Sequence, residues 1–241
     1  MKNFIKKILK KSGYQLKRYP DYDNDLLRRM KIVNHFNIDT LFDIGANKGQ
    51  YALNMRELGY CNKIISFEPL KEAFKELKNA AVKDEKWIVN NYALGSENST
   101  SVINVAGNSY SSSILTMLPK HIESAPESRF VGQEEIEIKK LDSIFSLFCD
   151  NKNSVMIKID TQGYEKNVID GALESLKTIR IIQLEMSIIP LYEKEMLFDE
   201  MIKYLDNKGF SLFSLENGFS DLTTGQLLQV DGIFINRSFA R

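Results

Sequence analysis

The stretch LFDIGANKGQYALNMRELGYCNKIISFEP, residues 41–69, constrains the fold more than any other part of the chain. A short apolar run ends on Asp43. A loop carrying Gly45 and Gly49 follows, then an amphipathic helical pattern, then a second apolar run ending on Glu68-Pro69. A strand, a glycine loop, a helix and an acidic strand end form the first half of a nucleotide-binding α/β unit. The glycines let backbone approach a ligand, and an acid about twenty residues further on can accept hydrogen bonds from ribose hydroxyls.

Asp43 narrows the choice of nucleotide. A dinucleotide would place its pyrophosphate at this loop, where a carboxylate repels it. S-adenosylmethionine has no phosphate and carries a sulfonium and an ammonium, which suit a carboxylate. The motif therefore points to that nucleoside and to methyl transfer.

The rest of the chain supports the same fold. Apolar strand patterns lie at 40–44, 63–67, 87–90, 154–159 and 180–186, and helical patterns at 49–59, 70–80, 164–176 and 193–208. Such alternation implies a parallel sheet covered by helices on both faces. Residues 209–215 and 227–235 are two further strands joined by a loop, hence an antiparallel pair, because a parallel pair needs a crossover. The expectation is an α/β, Rossmann-like class I methyltransferase fold: a mostly parallel seven-stranded sheet closed by a C-terminal antiparallel hairpin. It occupies 38–241, preceded by a basic amphipathic helical segment at 1–37.

Within 100–140, TSVINVA and EEIEIKK alternate as half-exposed strands do. The polar, turn-rich segment between them, about 107–133, reads as a substrate lid, since connections longer than about 12–15 residues are usually functional or disordered.

The chain's zero net charge hides an asymmetry. Residues 1–20 carry Lys2, Lys6, Lys7, Lys10, Lys11, Lys17 and Arg18 and no acid, which leaves 25 basic against 32 acidic residues in the remainder. So acidic a body is a poor nucleic-acid binder. Phe4, Ile5, Ile8 and Leu9 fall on one side of a helix among lysines, which suits peripheral contact with an anionic membrane. The other reading is a helix docked on its own domain. The apolar residues there never run longer than two, so this is no secretory signal. The two cysteines, Cys61 and Cys149, match no metal or redox spacing, and a cytoplasmic location is expected, with peripheral contact at the inner membrane face as the alternative to the docked helix.

Three segments together resemble the FkbM family of S-adenosylmethionine-dependent methyltransferases: LFDIGANKGQYA, then LDSIF with MIKIDTQGYEKNVIDGA, then PLYEKEMLFDE with LQVDGIFI. The resemblance covers roughly 35–236. It implies a Rossmann-like fold and methylation of a hydroxyl, on a sugar of a surface glycan or its precursor or on a polyketide. Gln162 stands where many relatives have Glu, so it is assigned no acid or base role. The alternative from another class is a nicotinamide-dependent oxidoreductase of a sugar pathway.

For the cofactor, Asp43 is expected to face the positive end, with capping of the next helix as its other reading. Gly45, Ala46, Asn47 and Gly49 would offer backbone. Glu68, beside Pro69, would accept both ribose hydroxyls. Asn91, Tyr92 and Ala93 follow the third strand, where adenine is expected. Asp160 ends the fourth strand close to the transferred methyl. It is the first candidate base and a second cofactor contact. Lys158, with a depressed pKa, and His121 of the lid are its rivals; the other reading of Lys158 is a buried ion pair with a carboxylate such as Asp160 or Glu185. Asp160 and Glu185 on neighbouring strand ends would give a cation only two ligands, so no metal is assigned. Tyr164, Glu165 and Tyr192 lie near the same rim, and Trp87 reads as structural.

Overall fold

The computed structural model describes residues 11–13, 24–150 and 152–239. The membrane-surface reading of residues 1–20 falls outside these, apart from 11–13. In chain order, α1 (Asp25–His35) precedes β1 (Thr40–Ile44), α2 (Gln50–Glu57), β2 (Lys63–Phe67), α3 (Lys71–Ala81) and β3 (Trp87–Asn90). Next come β4 (Ala93–Leu94), β5 (Ser99–Ala106), α4 (Pro119–Ser124), β6 (Phe130–Lys139) and α5 (Leu141–Ile144). The chain continues through β7 (Val155–Ile159), α6 (Glu165–Asp170), β8 (Ile179–Ser187), α7 (Phe198–Asn207), β9 (Phe210–Asn217) and β10 (Gln229–Asn236).

The central sheet has seven strands in the order β3-β2-β1-β7-β8-β10-β9. Its first five are parallel, and β10 runs antiparallel to both β8 and β9. The expected fold class is therefore the observed one. Side-chain alternation builds a core on each face. Phe42, Ile44, Phe67, Ile157 and Ile159 meet Val168, Ile169, Met201 and Leu205 of α6 and α7. Leu41, Ile64, Met156 and Ile181 meet Ile32 and Val33 of α1, Ala52 and Met55 of α2, and Leu77 of α3. Strands buried on both faces read as continuous apolar runs, which is why they stood out in the sequence.

One polar row crosses this second face. Strand register sets Ser66, Asp43, Lys158 and Gln183 side by side on β2, β1, β7 and β8. Trp87 donates its Nε1–H to Ser66 Oγ (2.9 Å), and Ser66 donates to Asp43 Oδ2 (3.3 Å). Lys158 Nζ lies 3.6 Å from Asp43 Oδ1. The Tyr51 hydroxyl donates to Gln183 Oε1 (2.7 Å), and Gln183 donates to Glu216 Oε2 (3.3 Å). Glu216 is also paired with Arg29 of α1, both side chains being buried.

Two helices are shorter than their apolar patterns, each because a carboxylate captures backbone N–H groups. Asp142 accepts from Glu174 N–H (3.1 Å) and Ser175 N–H (2.8 Å), so the segment after α6 turns instead of continuing. Glu195 Oε1 accepts from Tyr192 N–H (2.8 Å) and from Leu191 N–H, which holds the chain in a turn ahead of α7. The segment around 100–140 forms its own three-stranded sheet, β4-β6-β5, with 107–129 bridging β5 and β6. Among the described residues, no helix is long and apolar enough to cross a membrane.

The Arg29–Glu216 pair gives a stability test. Arg29→Met leaves a buried carboxylate uncompensated and should cost about 3–5 kcal/mol in chemical denaturation. Adding Glu216→Leu should recover most of that loss. A negligible cost for the single change would contradict a structural role for the pair.

Candidate active site

The site forms where the C-terminal ends of β1 and β7 come together. Gly45 has φ +75°, and a Cβ there would sit 1.9 Å from the Asp160 carbonyl oxygen. No other residue fits, and the approach is fixed by the Asp160 N–H donating to the Ile44 carbonyl (3.0 Å). The loop then folds toward β2. The N–H groups of Gly45 and Ala46 both donate to the Phe67 carbonyl, each at 3.0 Å. Asn47 takes a left-handed conformation (φ 47°), and its N–H donates to Glu68 Oε2 (2.8 Å). Leu70 N–H donates to Glu68 Oε1 (2.8 Å), so this carboxylate is oriented from both sides.

A cavity of about 290 Å³ opens above these strand ends. Gly45, Asn47, Glu68, Pro69, Ala93 and Asp160 border it, together with apolar walls from Ile44, Phe67, Leu70, Leu94 and Ile103. Residues of the insertion, Ser109, Tyr110, Ser112 and Ile114, roof it. They are tied down by Asn47 donating to Ser109 Oγ (3.3 Å), Gln50 to the Tyr110 hydroxyl (3.1 Å) and Ser113 to the Gln162 carbonyl (2.7 Å). No Lys or Arg is among the lining residues. The acids Glu68, Asp160 and Glu185 among them suit a nucleoside with a positive end, and a phosphate would meet no cationic partner.

Other expected residues lie elsewhere. Ala46 is buried in the core. Gly49 (φ 90°) starts α2, and a Cβ there would lie 2.8 Å from the Trp87 ring. Asn91 holds the Glu68-Pro69 corner by donating to the Glu68 (2.9 Å) and Pro69 (3.0 Å) carbonyls. Tyr92 packs on Phe67 and under the Lys139 ammonium, 4.2 Å from its ring centroid. Asn91 and Tyr92 thus support lining residues from behind, while Ala46 and Gly49 belong to the packing of α2.

Asp43 departs from the expectation that it faces the cofactor. It is fully buried and borders no described cavity, because strand alternation turns it to the α2 face, toward Lys158. The Lys158 expectation is also corrected. Burial alone would lower its pKa, but Asp160 (Oδ2 at 3.1 Å) and Asp43 outweigh burial and raise it, so the ammonium stays charged and is no base. His121 is 3% exposed on α4 and borders a neighbouring cavity. Burial lowers its pKa to about 4, so it is neutral at physiological pH.

The DTQGYE segment after β7 closes on itself. Glu165 accepts from Thr161 N–H (2.8 Å), Thr161 Oγ (3.1 Å) and Gly163 N–H (3.2 Å), and burial raises its pKa to about 7. Gln162 is held at φ 54°. Its amide nitrogen donates to Asp160 Oδ1 and to Glu185 Oε2, both at 2.9 Å. A glutamate here would add a third carboxylate and remove both donors, which explains an amide at this position. Gln162 and Glu185 both border the cavity, and no sequence spacing reveals a role for either. Among the described residues, no group of three or more His, Cys, Asp or Glu side chains is arranged to hold a metal ion.

Burial raises the Glu68 pKa to about 7, partly offset by its two backbone donors. Only the ionised form accepts both ribose hydroxyls, so S-adenosylhomocysteine affinity, measured by calorimetry, should rise with pH between about 6 and 8. Glu68→Gln turns an amide donor against one of two backbone N–H groups. It should weaken binding roughly ten- to a hundredfold and remove the pH dependence. An unchanged affinity would remove Glu68 from the site.

The methyltransferase FkbM domain family matches residues 43–212. No curated protein matches. Among solved structures, the chain is similar to Aeropyrum pernix fibrillarin with natively bound S-adenosyl-L-methionine, at 9% identity and TM-score 0.48, covering 88% of this chain and 76% of that one. It is also similar to the Burkholderia thailandensis 1,6-didemethyltoxoflavin-N1-methyltransferase, at 9% identity and TM-score 0.47, covering 98% and 86%. The match from Asp43 through most of the catalytic domain establishes that the chain belongs to the FkbM family of methyltransferases, with S-adenosylmethionine as its methyl donor.

Proposed function

We propose that the protein is an O-methyltransferase acting on a hydroxyl of a sugar, in a cell-surface glycan or its precursor. The observation that carries this reading is the polar roof of the cavity. Ser109, Tyr110 and Ser112 cover the cavity from the insertion, the side from which an acceptor would reach the methyl donor. A polar roof suits a hydrophilic acceptor better than the apolar chain of a polyketide, which would gain little burial against it. The basic residues of 1–20 fit enzymes that work where lipid-linked precursors meet an anionic membrane face. A nicotinamide-dependent oxidoreductase is unsupported, since the family that the chain matches is one of methyltransferases.

In this reading S-adenosylmethionine supplies an electrophilic methyl group, and the protein contributes alignment and proton management. Gly45 lets the loop close on Asp160, Glu68 fixes the ribose, and Asp160, held by Lys158 and Gln162, orients the positive end. Alignment of an in-line displacement is itself a large part of such catalysis.

The test is incubation with methyl-labelled S-adenosylmethionine and the sugars of the host's own surface glycan. Label should enter an alkali-stable methyl ether. Label only in an ester or amine, or in no sugar at all, would reject the proposal.

A further inference from the structure

A second cavity, of about 230 Å³, adjoins the first. The two share Tyr110, Gln162 and Glu185 as common wall. Beyond that wall stand His121 and Glu127 from the insertion, and Phe219 and Gln229 from the C-terminal hairpin region. We infer that this second cavity is the acceptor subsite, that it takes an uncharged hydroxylated ring, and that Glu185, at the junction, removes the proton of the reacting hydroxyl. The inference rests on the O-methyltransferase reading and deepens it.

Three observations converge on a ligand here. His121 is 3% exposed, yet its Nδ1 has no hydrogen-bond partner. Buried polar atoms are nearly always paired, so this one fits a site completed by a bound group. The His121 and Phe219 rings lie 5.5 Å apart and tilted by 33°, giving an apolar wall of the kind that covers the C–H face of a ring. Glu127 and Glu185 border the cavity and no Lys or Arg does, so a phosphorylated or uronic acceptor would meet repulsion.

Glu185 is better placed to take a proton than Asp160. Asp160 has both oxygens engaged, Oδ2 by Lys158 (3.1 Å) and Oδ1 by Gln162 (2.9 Å). Glu185 takes both its amide donors on Oε2, from Gln162 (2.9 Å) and Gln229 (2.8 Å), and Oε1 receives no hydrogen bond among the described residues. The charged groups around it are Asp160 and Lys158 of the β7 strand end, Asp231 of β10 and Glu165 of α6, with neutral His121 across the second cavity. Burial and then the three carboxylates raise its pKa, with Lys158 opposing. A base is most effective when its pKa lies near the working pH.

In the step itself, the acceptor oxygen bonds to the methyl carbon as the carbon–sulfur bond breaks. That bond's electron pair stays on sulfur, which becomes a neutral thioether, and the hydroxyl proton passes to Glu185. Because the pKa is raised, the ionised base is present only above that value, so the rate should climb with pH through it.

The test uses full-length protein saturated with S-adenosylhomocysteine, probed by ligand-observed NMR. The probes are the methyl glycosides of glucose, galactose, mannose and rhamnose, with methyl glucuronide and glucose 6-phosphate as charged counterparts. At least one neutral glycoside should bind and the charged ones should not. Phe219→Ala, at a half-buried position, should weaken that glycoside at least about tenfold with S-adenosylhomocysteine affinity unchanged. Glu185→Gln should keep both affinities, lose about 10²-fold or more in turnover, and flatten the pH profile. Charged sugars binding as well as neutral ones, or Phe219→Ala without effect, overturns the subsite. A sugar methylated at full rate by Glu185→Gln overturns the base and leaves the function standing. A parent enzyme that methylates no sugar removes function and inference together.

Discussion

The interaction on which the rest depends is the Lys158 ammonium, enclosed between Asp43 and Asp160. Burying an ion costs several kcal/mol after relaxation, and removing one partner from a buried pair costs about 3–5 kcal/mol. The row therefore acts as a lock. It holds the ends of β1 and β7 in one register, which brings the Gly45 loop against the Asp160 carbonyl. Through Gln183 and Glu216 the same row reaches Arg29, so α1 and the C-terminal strands share one charge system with the strand ends.

Around that lock the cavity floor is acidic. Glu68, Asp160 and Glu185 line it, and burial is the chief cause that raises the pKa of Glu68 to about 7 and that of Glu185 well above the usual carboxylate range. Such carboxylates ionise more readily beside a cation. A positively charged nucleoside is thus favoured, and the hold weakens once methyl transfer removes the sulfonium charge. The same electrostatics disfavour phosphate and link the absence of basic lining residues to the choice of methyl donor.

Much of this was legible in the sequence because local rules decided it. The parallel strands are apolar on both faces, Gly45 stands where only glycine fits, and Glu68 ends β2 beside the cavity. The closing hairpin followed from a connection too short for a crossover. What was hidden depends on tertiary geometry. Asp43 looks like a ligand-facing acid, but pleat alternation turns it inward to Lys158. The pairing of Lys158 with Asp160 is legible from period-2 alternation, whereas the second carboxylate, Asp43 on the neighbouring strand, is not. The β4-β6-β5 sheet, the bridging amide of Gln162 and the meeting of His121 with Phe219 join residues far apart in the chain, with no spacing to announce them.

The most direct test of the account is a crystal structure of the complex with S-adenosylhomocysteine. The ribose diol should lie about 3 Å from both oxygens of Glu68, within ordinary hydrogen-bond range. The adenine should sit beside Ala93 and Leu94, and the amino-acid end should pass Gly45 to Asp160. A ligand bound elsewhere, or one that leaves Glu68 uncontacted in this cavity, would contradict the central claim.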